Sequence, residues 1–200
     1  MLKLHYAPKT ISITCAIAFE ELGIAYEPVL VNFAEGAQTK PAYLALNPKG
    51  RVPLLETPLG LLTESIAILE YVCDDLIPGE AYQAARMRET LQYLSSTMHV
   101  AHAHKMRGHR WATQESSFAD MQAKVAENIE TCCAYLEDHL DLSPYAIGDT
   151  LTLADVYLFM LLSWAPGDGA DLGKTPRLLA HFQMMDARPS AQAVREKGML

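Results

Sequence analysis

The sequence lacks long apolar runs, a leader-like start and an excess of basic residues. Its longest apolar stretch, VYLFMLLSW from Val156, is about half of the roughly 20 residues that a membrane span needs. The start, MLKLHYAPKT, has no uninterrupted apolar core and no small-residue cleavage site, so no signal peptide is predicted. There are 16 Lys and Arg against 24 Asp and Glu, whereas nucleic-acid binding needs clustered basic residues. We therefore expect a soluble, cytoplasmic protein that binds neither membranes nor nucleic acids.

Cysteine is scarce, and its 4 copies show no C-x-x-C spacing. This pattern argues against zinc ribbons and dithiol redox motifs, and disulfides are unusual in the cytoplasm. Free cysteine behaves as a small apolar residue in a protein interior. We therefore expect Cys15, Cys73, Cys132 and Cys133 to pack in the core or in an interface.

The first 78 residues alternate between short strand and helix patterns. Residues 2–6 and YEPVLVNF are typical of strands on either side of the helical segment ISITCAIAFEELG, and Pro28 indicates an edge position or a strand start. A short helix, TKPAYLALNP, comes next. Residues 53–56 and 60–62 flank the turn TPLG as a hairpin, and TESIAILEYVCDDL has helical spacing. The predicted order is βαβ, α, ββα.

Beyond Pro78 and Gly79 every pattern is helical, which predicts one domain over residues 1–78 and a second over residues 83–200. A long helix is expected from Tyr82 to Gly108 and another from Ser117. In GDTLTLADVYLFMLL, Thr152 and Asp155 have the spacing of a capping box. The helix after that box is apolar on nearly every side, so it should lie at the centre of the helical domain. Two shorter helices follow Pro176 and Pro189.

Three segments, RVPLLE, LTESIAILEYV and GDTLTLADVYLF, occur in an order and separation that resemble the glutathione transferase superfamily. The resemblance covers essentially the whole chain and is greatest to the bacterial beta class. It implies an α/β plus all-α fold, with a thioredoxin-like βαβ-α-ββα domain that binds glutathione, followed by a helical bundle. In this family the helical domain supplies a hydrophobic pocket and dimer contacts, so the resemblance also implies a homodimer.

The resemblance implies a glutathione site at Val52, Pro53, Glu64 and Ser65. In this family a cis peptide precedes the third strand's proline, and the exposed backbone there pairs with the cysteinyl part of glutathione. A cis bond is cheap only before proline, at about 0.5–1 kcal/mol. Glu64 and Ser65 open the next helix, where free N–H groups and the helix dipole favour the γ-glutamyl carboxylate. Ordinary helix capping by Thr63 or Ser65 is the alternative.

The family activates the glutathione thiol with a hydroxyl or thiol near the start of the first helix, here within YAPKTISITC. The beta class has a cysteine there, but alignment on YAP puts Ile11 at that position and Ser12 at the following serine. Ser12 is the first candidate for stabilising the thiolate, because an N-cap residue lies at the positive end of the helix dipole. Thr10 and Tyr6 are the other candidates, and an N-cap without a ligand is the alternative for Ser12. Cys15 is expected to face the core.

A basic segment, STMHVAHAHKMRGHRWA, interrupts the acidic sequence. On a helix, His99 and His102 share a face whereas His104 turns away, and no acid is near in the sequence, so no metal is predicted. The resemblance implies that His99 and His102 line the electrophile pocket. A solvated or dimer-facing basic surface is the alternative.

The resulting hypothesis is a glutathione transferase that takes glutathione as co-substrate, holds it as a thiolate and conjugates it to a hydrophobic electrophile in a pocket between the domains. A non-catalytic glutathione-binding or scaffold protein is one alternative, and the missing cysteine supports it. A glutathione-dependent peroxidase or reductase is the other, and it would need the bound thiolate to attack its substrate directly.

Overall fold

A computed structural model describes every residue from Met1 to Leu200. Its contacts divide the chain into two units, one of Met1–Ile77 with Asp186–Leu200 and one of Pro78–Met185. The first unit therefore holds the whole segment for which a βαβ-α-ββα module was predicted. The division differs from the expected one at the carboxyl end, because Asp186–Leu200 pack with the amino-terminal unit and not with the helical one.

The amino-terminal unit contains a mixed four-stranded sheet in the order β2-β1-β3-β4. The strands are β1 (Leu2–Tyr6), β2 (Tyr26–Leu30), β3 (Leu54–Thr57) and β4 (Gly60–Thr63). β1 runs parallel to β2 and antiparallel to β3, while β3 and β4 form the predicted hairpin. β2 is an edge strand, where Pro28 is tolerated because proline has no N–H for a ladder bond.

Three helices complete this module, namely α1 (Ile13–Leu22), α2 (Pro41–Leu44) and α3 (Ser65–Val72). α1 is buried from Ile13 to Phe19 and ends at Gly23, whose left-handed φ of 65° closes the helix. The predicted order of strands and helices is therefore confirmed.

The helical unit is built from α4 (Ala81–Tyr93), α5 (His99–Arg107), α6 (Glu115–Ala123), α7 (Val125–His139), α8 (Leu153–Trp164) and α9 (Pro176–Asp186). α4 and α5 form the predicted long helix, but a π-helical turn, Leu94–Met98, joins them. Along this helix, apolar residues at steps of three and four form a buried stripe of Met87, Leu91, Leu94, Met98 and Ala101. None of the helices combines the length and the apolar character that a membrane span requires.

The single helix predicted from Ser117 is wrong, because two helices occupy that segment. α6 ends at Ala123 and α7 begins at Val125. α6 has no buried residue, and its Phe118 packs against Gly108, where an added Cβ would lie 2.9 Å from the ring. This contact holds α6 at the end of α5, while the buried residues of the two helices all lie on α7.

α8 forms the buried centre of the helical unit, as predicted, with every residue from Leu153 to Leu162 buried. The capping box at its start is confirmed. The carboxylate of Asp155 accepts hydrogen bonds from the N–H and the hydroxyl of Thr152, at 2.8 and 2.9 Å. It also accepts from the N–H of Ala146 (2.7 Å) and from the ring of His181 (2.8 Å). These donors make a fully buried carboxylate tolerable, because a buried charge is costly unless it is hydrogen-bonded.

The last helix, α10 (Pro189–Glu196), packs against α1. The carboxylate of Glu21 accepts a hydrogen bond from the hydroxyl of Ser190 (2.6 Å) and pairs with the guanidinium of Arg188. The hydrogen bond from Arg188 lowers the pKa of Glu21. These contacts are the reason why the end of the chain belongs to the amino-terminal unit.

Candidate functional site

The register of the sheet brings three chain segments to one edge. His5, near the end of β1, pairs with Leu54 at the start of β3, and Leu54 pairs with Thr63 at the end of β4. The segments after β1, before β3 and after β4 therefore start from the same edge, and Ala7 and Val52 share one buried cluster there. These segments, together with Tyr6 at the end of β1, contain all the predicted site residues of this unit: Thr10, Ser12, Val52, Pro53, Glu64 and Ser65.

The Val52–Pro53 peptide bond is cis, as predicted, and it immediately precedes β3. One residue earlier, the carbonyl oxygen of Arg51 accepts hydrogen bonds from the Tyr43 hydroxyl and from the Asn47 side-chain amide, both at 2.7 Å. Tyr43 and Asn47 are buried, with exposed fractions of 7% and 1%. The backbone that enters Val52 is thus fixed from inside the unit. Sequence reasoning missed both residues, and the one local signal was a polar residue, Asn47, before proline in LNPKG.

Glu64 and Ser65 lie at the start of α3, as the sequence predicted. Glu64 has a φ of 72° and a ψ of 119°, a backbone conformation that residues with a Cβ rarely adopt. Its exposed carboxylate lies 2.5 Å from the ammonium of Lys49, which also donates to the hydroxyl of Thr63 at 2.6 Å. Glu64 makes no side-chain capping bond. The first N–H groups of an α-helix have no acceptor within the helix. Since the Glu64 side chain does not cap them, the first N–H groups of α3 can donate to a bound anion.

The loop between β1 and α1 contains the three candidate hydroxyls. Ser12 is completely buried, and its hydroxyl turns away from the helix to accept a hydrogen bond from the N–H of Ala7 at 3.2 Å. The hydroxyl of Thr10 lies 2.7 Å from that of Ser12 and donates to the carbonyl of Ala7 at 2.8 Å. Thr10 is half-buried, as is Tyr6 at the end of β1. Of the bonded pair, only Thr10 is therefore partly open to solvent.

The cysteines fill the interior, as predicted, since all four are free and buried. Burial raises the pKa of the Cys15 thiol far above its usual range, which removes the thiolate that a nucleophilic cysteine needs. The thiol lies 4.0 Å from the carbonyl oxygen of Ser65 and donates a weak hydrogen bond to it. Cys15 thus supports the start of α3 from the core side.

The predicted pocket histidines lie in the helical unit, on α5. His99 is half-buried, with its Nδ1 3.3 Å from the hydroxyl of Tyr157 and its ring centre 5.4 Å from that of Trp164. His102 is 6% exposed, and its ring meets Trp164 edge to face at 5.3 Å. The ring of His104 packs instead on Trp111, at 4.5 Å. His99 and His102 therefore both pack on Trp164, whereas His104 belongs to a separate contact with Trp111.

A carboxylate that sequence reasoning missed lies beside His102. Asp168 pairs with Nδ1 of His102 at 2.5 Å and with the ammonium of Lys105 at 2.8 Å. Burial by itself would raise the pKa of Asp168, but the hydrogen bonds from His102 and Lys105 outweigh it and lower the pKa. The expectation that no acid lies near these histidines is therefore wrong. No acid is close to them in the sequence, but folding brings Asp168 next to His102.

Two family models match the chain, the glutathione S-transferase N-terminal domain over residues 2–74 and the glutathione S-transferase C-terminal domain over residues 101–198. Among curated proteins, a glutathione S-transferase of Xanthomonas campestris pv. campestris is 28% identical over 198 residues, covering 96% of each chain. Among solved structures, a glutathione transferase homologue from Sulfitobacter with bound glutathione is 48% identical, with a TM-score of 0.97 and coverage of 100% and 99%. A sphingomonad glutathione S-transferase complexed with glutathione is 30% identical, with a TM-score of 0.83 and coverage of 99% and 100%.

Proposed function

The chain belongs to the glutathione S-transferase family, and from that membership we propose how its residues carry out the transfer of glutathione to a hydrophobic electrophile. The protein is a glutathione transferase. In the reaction, the thiolate of glutathione forms a bond to an electrophilic carbon, and either a leaving group departs or a neighbouring atom takes up a proton. The thiol proton is released to solvent before the attack. The protein must therefore hold glutathione, favour its thiolate and bind the electrophile.

Glutathione is held by the three segments that converge at the sheet edge. The backbone of Val52, before Pro53, pairs with the cysteinyl part as an added strand would. The first turn of α3, with the hydroxyl of Ser65, takes the γ-glutamyl carboxylate, because helix N-termini favour anions. The carboxylate of Glu64 takes the γ-glutamyl ammonium. Support for this assignment comes from the sheet register, which starts these segments from one edge.

The thiolate is stabilised by the hydroxyl of Thr10, with Ser12 as its support. This revises the first choice made from the sequence, because Ser12 is completely buried and already accepts from the N–H of Ala7. The hydroxyl of Ser12 lies 3.3 Å from the carbonyl oxygen of Ala7 and 2.7 Å from the hydroxyl of Thr10, so it can donate to either. When it donates to Thr10, the proton of Thr10 can turn from the Ala7 carbonyl to sulfur. A free thiol has a pKa of about 8.5, and lowering it by about two units is worth about 2.7 kcal/mol.

The helical unit supplies the surface for the electrophile. His99 and Trp164 offer it aromatic faces, and Tyr157 places a hydroxyl next to His99. The same proposal includes a cytoplasmic homodimer. Exposed apolar side chains on the hairpin and α3, Leu59, Leu61 and Tyr71, support a contact between two copies.

The observation that carries the proposal is the backbone of Glu64, whose φ of 72° is costly and is found mainly where a function requires it. The test is a pH titration of the bound glutathione thiol by thiolate absorbance, followed by a panel of electrophiles. We expect binding with a midpoint well below that of free glutathione, and turnover of at least one electrophile. Tight binding with an unshifted midpoint would indicate a carrier or scaffold. No binding would overturn the assignment of Val52, Glu64 and Ser65.

A further inference from the structure

The end of the chain is bonded to the loop that carries Thr10. The N–H of Lys9 donates a hydrogen bond to the carbonyl oxygen of Met199, at 2.9 Å. Met199 is 1% exposed although it is the next-to-last residue, so its side chain is packed in the interior. Lys9 itself is exposed and has a left-handed φ of 57°, which is uncommon for a residue with a Cβ. This bond is therefore a tertiary contact at a strained point of the loop.

The position of Met199 is itself fixed. Its N–H donates to the carbonyl of Val194 at 3.0 Å, and the N–H of Gly198 donates to the carbonyl of Arg195 at 2.9 Å. Gly198 has a φ of 70°, and this left-handed turn directs the last two residues back from α10. α10 is in turn fastened to α1 through Glu21 and Arg188. A continuous set of bonds therefore connects the body of the unit to Met199 and then to Lys9.

We propose that the turn Gly198–Met199 positions the thiolate-activating loop, with the Met199 carbonyl holding Lys9 so that the neighbouring Thr10 presents its hydroxyl to sulfur. Met199 is a positioning residue, since it acts through the backbone of the loop and does not touch the substrate. The proposal rests on the function assigned to Thr10 above. It extends that function by making the activation of glutathione depend on the turn at Gly198 and Met199.

The physical reason lies in the conformation of the loop. A residue with a Cβ stays at a positive φ only when its surroundings hold it there. Within the loop, Thr10 and Ser12 bond to each other and to Ala7, but those bonds do not involve the N–H of Lys9. Without the Met199 carbonyl, Lys9 can relax to a negative φ. That rotation would carry Thr10 with it and remove its hydroxyl from a fixed position.

The test compares the full chain with a chain that ends at Gly198 and with Leu200→Ala, which keeps the amide carbonyl of Met199. A point variant, Gly198→Ala, strains the turn because the φ of 70° disfavours a residue with a Cβ, while the added Cβ itself meets nothing within 4 Å. Gly79→Ala is its matched control, because that glycine has no positive φ and is equally open. The readouts are amide exchange at Lys9 without glutathione, the pKa of the bound glutathione thiol, and kcat and KM.

We expect the chain ending at Gly198 to exchange the Lys9 amide faster and to raise the bound thiol pKa by about one unit. From a pKa of about 6.5, this rise makes the thiolate fraction at pH 7 about threefold smaller. The kcat of this chain should fall more than its KM for glutathione rises, and Gly198→Ala should change in the same direction. Leu200→Ala and Gly79→Ala should leave all readouts as in the full chain. The proposal would be overturned if the chain ending at Gly198 and Gly198→Ala both exchanged the Lys9 amide at the wild-type rate, or if both left the thiol pKa unshifted. Failure of the proposed function would instead appear in the full chain itself, as a bound thiol that titrates like free glutathione.

Discussion

The hydroxyl oxygens of Thr10 and Ser12 lie 2.7 Å apart, and Ser12 is completely buried while Thr10 is half-buried. Two adjacent hydroxyls can act in series, because the buried one can donate to the outer one while the outer one donates to a ligand. Ser12 is held by the N–H of Ala7, so its orientation is set before glutathione binds. In the proposed mechanism this pair takes the place of the cysteine of the beta class as a preorganised donor.

Replacing Thr10 by Ala should raise the pKa of the bound glutathione thiol by about one to two units, because hydrogen bonds to charged groups are worth about 1.5–3 kcal/mol and one unit is about 1.4 kcal/mol. The turnover at neutral pH should fall with the thiolate fraction, by about three- to twentyfold, with a small change in KM for glutathione. The measurement is the pH titration of thiolate absorbance combined with steady-state kinetics.

Two matched variants make this prediction specific. Thr10→Ser keeps the hydroxyl and should retain a lowered thiol pKa, whereas Ser12→Ala should give an intermediate pKa because it removes only the support. If Ser12→Ala raises the thiol pKa more than Thr10→Ala does, Ser12 is the hydroxyl that donates to sulfur and Thr10 supports it. If neither variant shifts the titration, Tyr6 becomes the candidate.

The strained backbone of Glu64 predicts a conflict between stability and binding. Glycine adopts a φ of 72° without penalty, so Glu64→Gly should release strain of about 1–3 kcal/mol, less the greater unfolding entropy of glycine of about 0.5–1 kcal/mol. Urea unfolding should therefore show a gain of about 1 kcal/mol. Glutathione binding should weaken by about tenfold, because the carboxylate for its ammonium is lost.

Glu64→Ala separates the two effects. It also removes the carboxylate but keeps a Cβ, so it should weaken binding as much as Glu64→Gly without the gain in stability. Equal stability of the two variants would show that the backbone of Glu64 is not strained in solution. Unchanged glutathione affinity in both would remove Glu64 from the binding site.

The sequence predicted the parts of the fold that depend on local signals. Pro53, the capping box at Thr152 and the alternation of short strands each have a physical meaning within a few residues. The two donors on the Arg51 carbonyl, the Asp168 carboxylate beside His102 and the bond from Lys9 to Met199 have no such local sign, because they join residues that meet only after folding. The π-helical turn Leu94–Met98 was missed because a buried stripe at steps of three and four looks the same with or without it.

The two donors on the Arg51 carbonyl predict a selective effect on glutathione affinity. Tyr43→Phe should cost about 0.5–1.5 kcal/mol of stability, and Asn47→Ala about 1–3 kcal/mol, because a buried carbonyl loses a partner. In both variants the backbone of Val52 becomes less fixed. KM for glutathione should therefore rise several-fold. The value of kcat should stay nearly constant, because this contact with glutathione is equally strong in the bound substrate and in the transition state.

A buried hydroxyl elsewhere serves as the control for that prediction. Thr175 is buried in the helical unit, and its hydroxyl donates to the carbonyl of Leu172 at 3.3 Å. Thr175→Val should lower stability while leaving KM unchanged. A similar rise in KM in Thr175→Val would mean that KM reports general loosening and not the position of Val52.

The carboxylate of Asp168 predicts a pH-dependent stability of the helical unit. Its pKa is lowered below the usual 3.8, because the bonds from His102 and Lys105 outweigh the effect of burial. A carboxyl whose folded pKa is lowered stabilises the fold above the unfolded pKa, and this contribution is lost as the pH falls through the folded value. Asp168→Asn should therefore destabilise the protein by about 1–3 kcal/mol at pH 7 and by progressively less below about pH 4.

Urea unfolding of the wild type and of Asp168→Asn between pH 7 and pH 3 measures this difference. Glu130→Gln is the matched control, since Glu130 also pairs with a lysine, Lys174, but on the surface. Exposed ion pairs contribute little because solvent screens them, so Glu130→Gln should change stability much less at every pH. The two curves for the wild type and Asp168→Asn should converge in acid. A constant difference down to pH 3 would mean that the packing of the side chain at position 168, and not its charge, stabilises the unit.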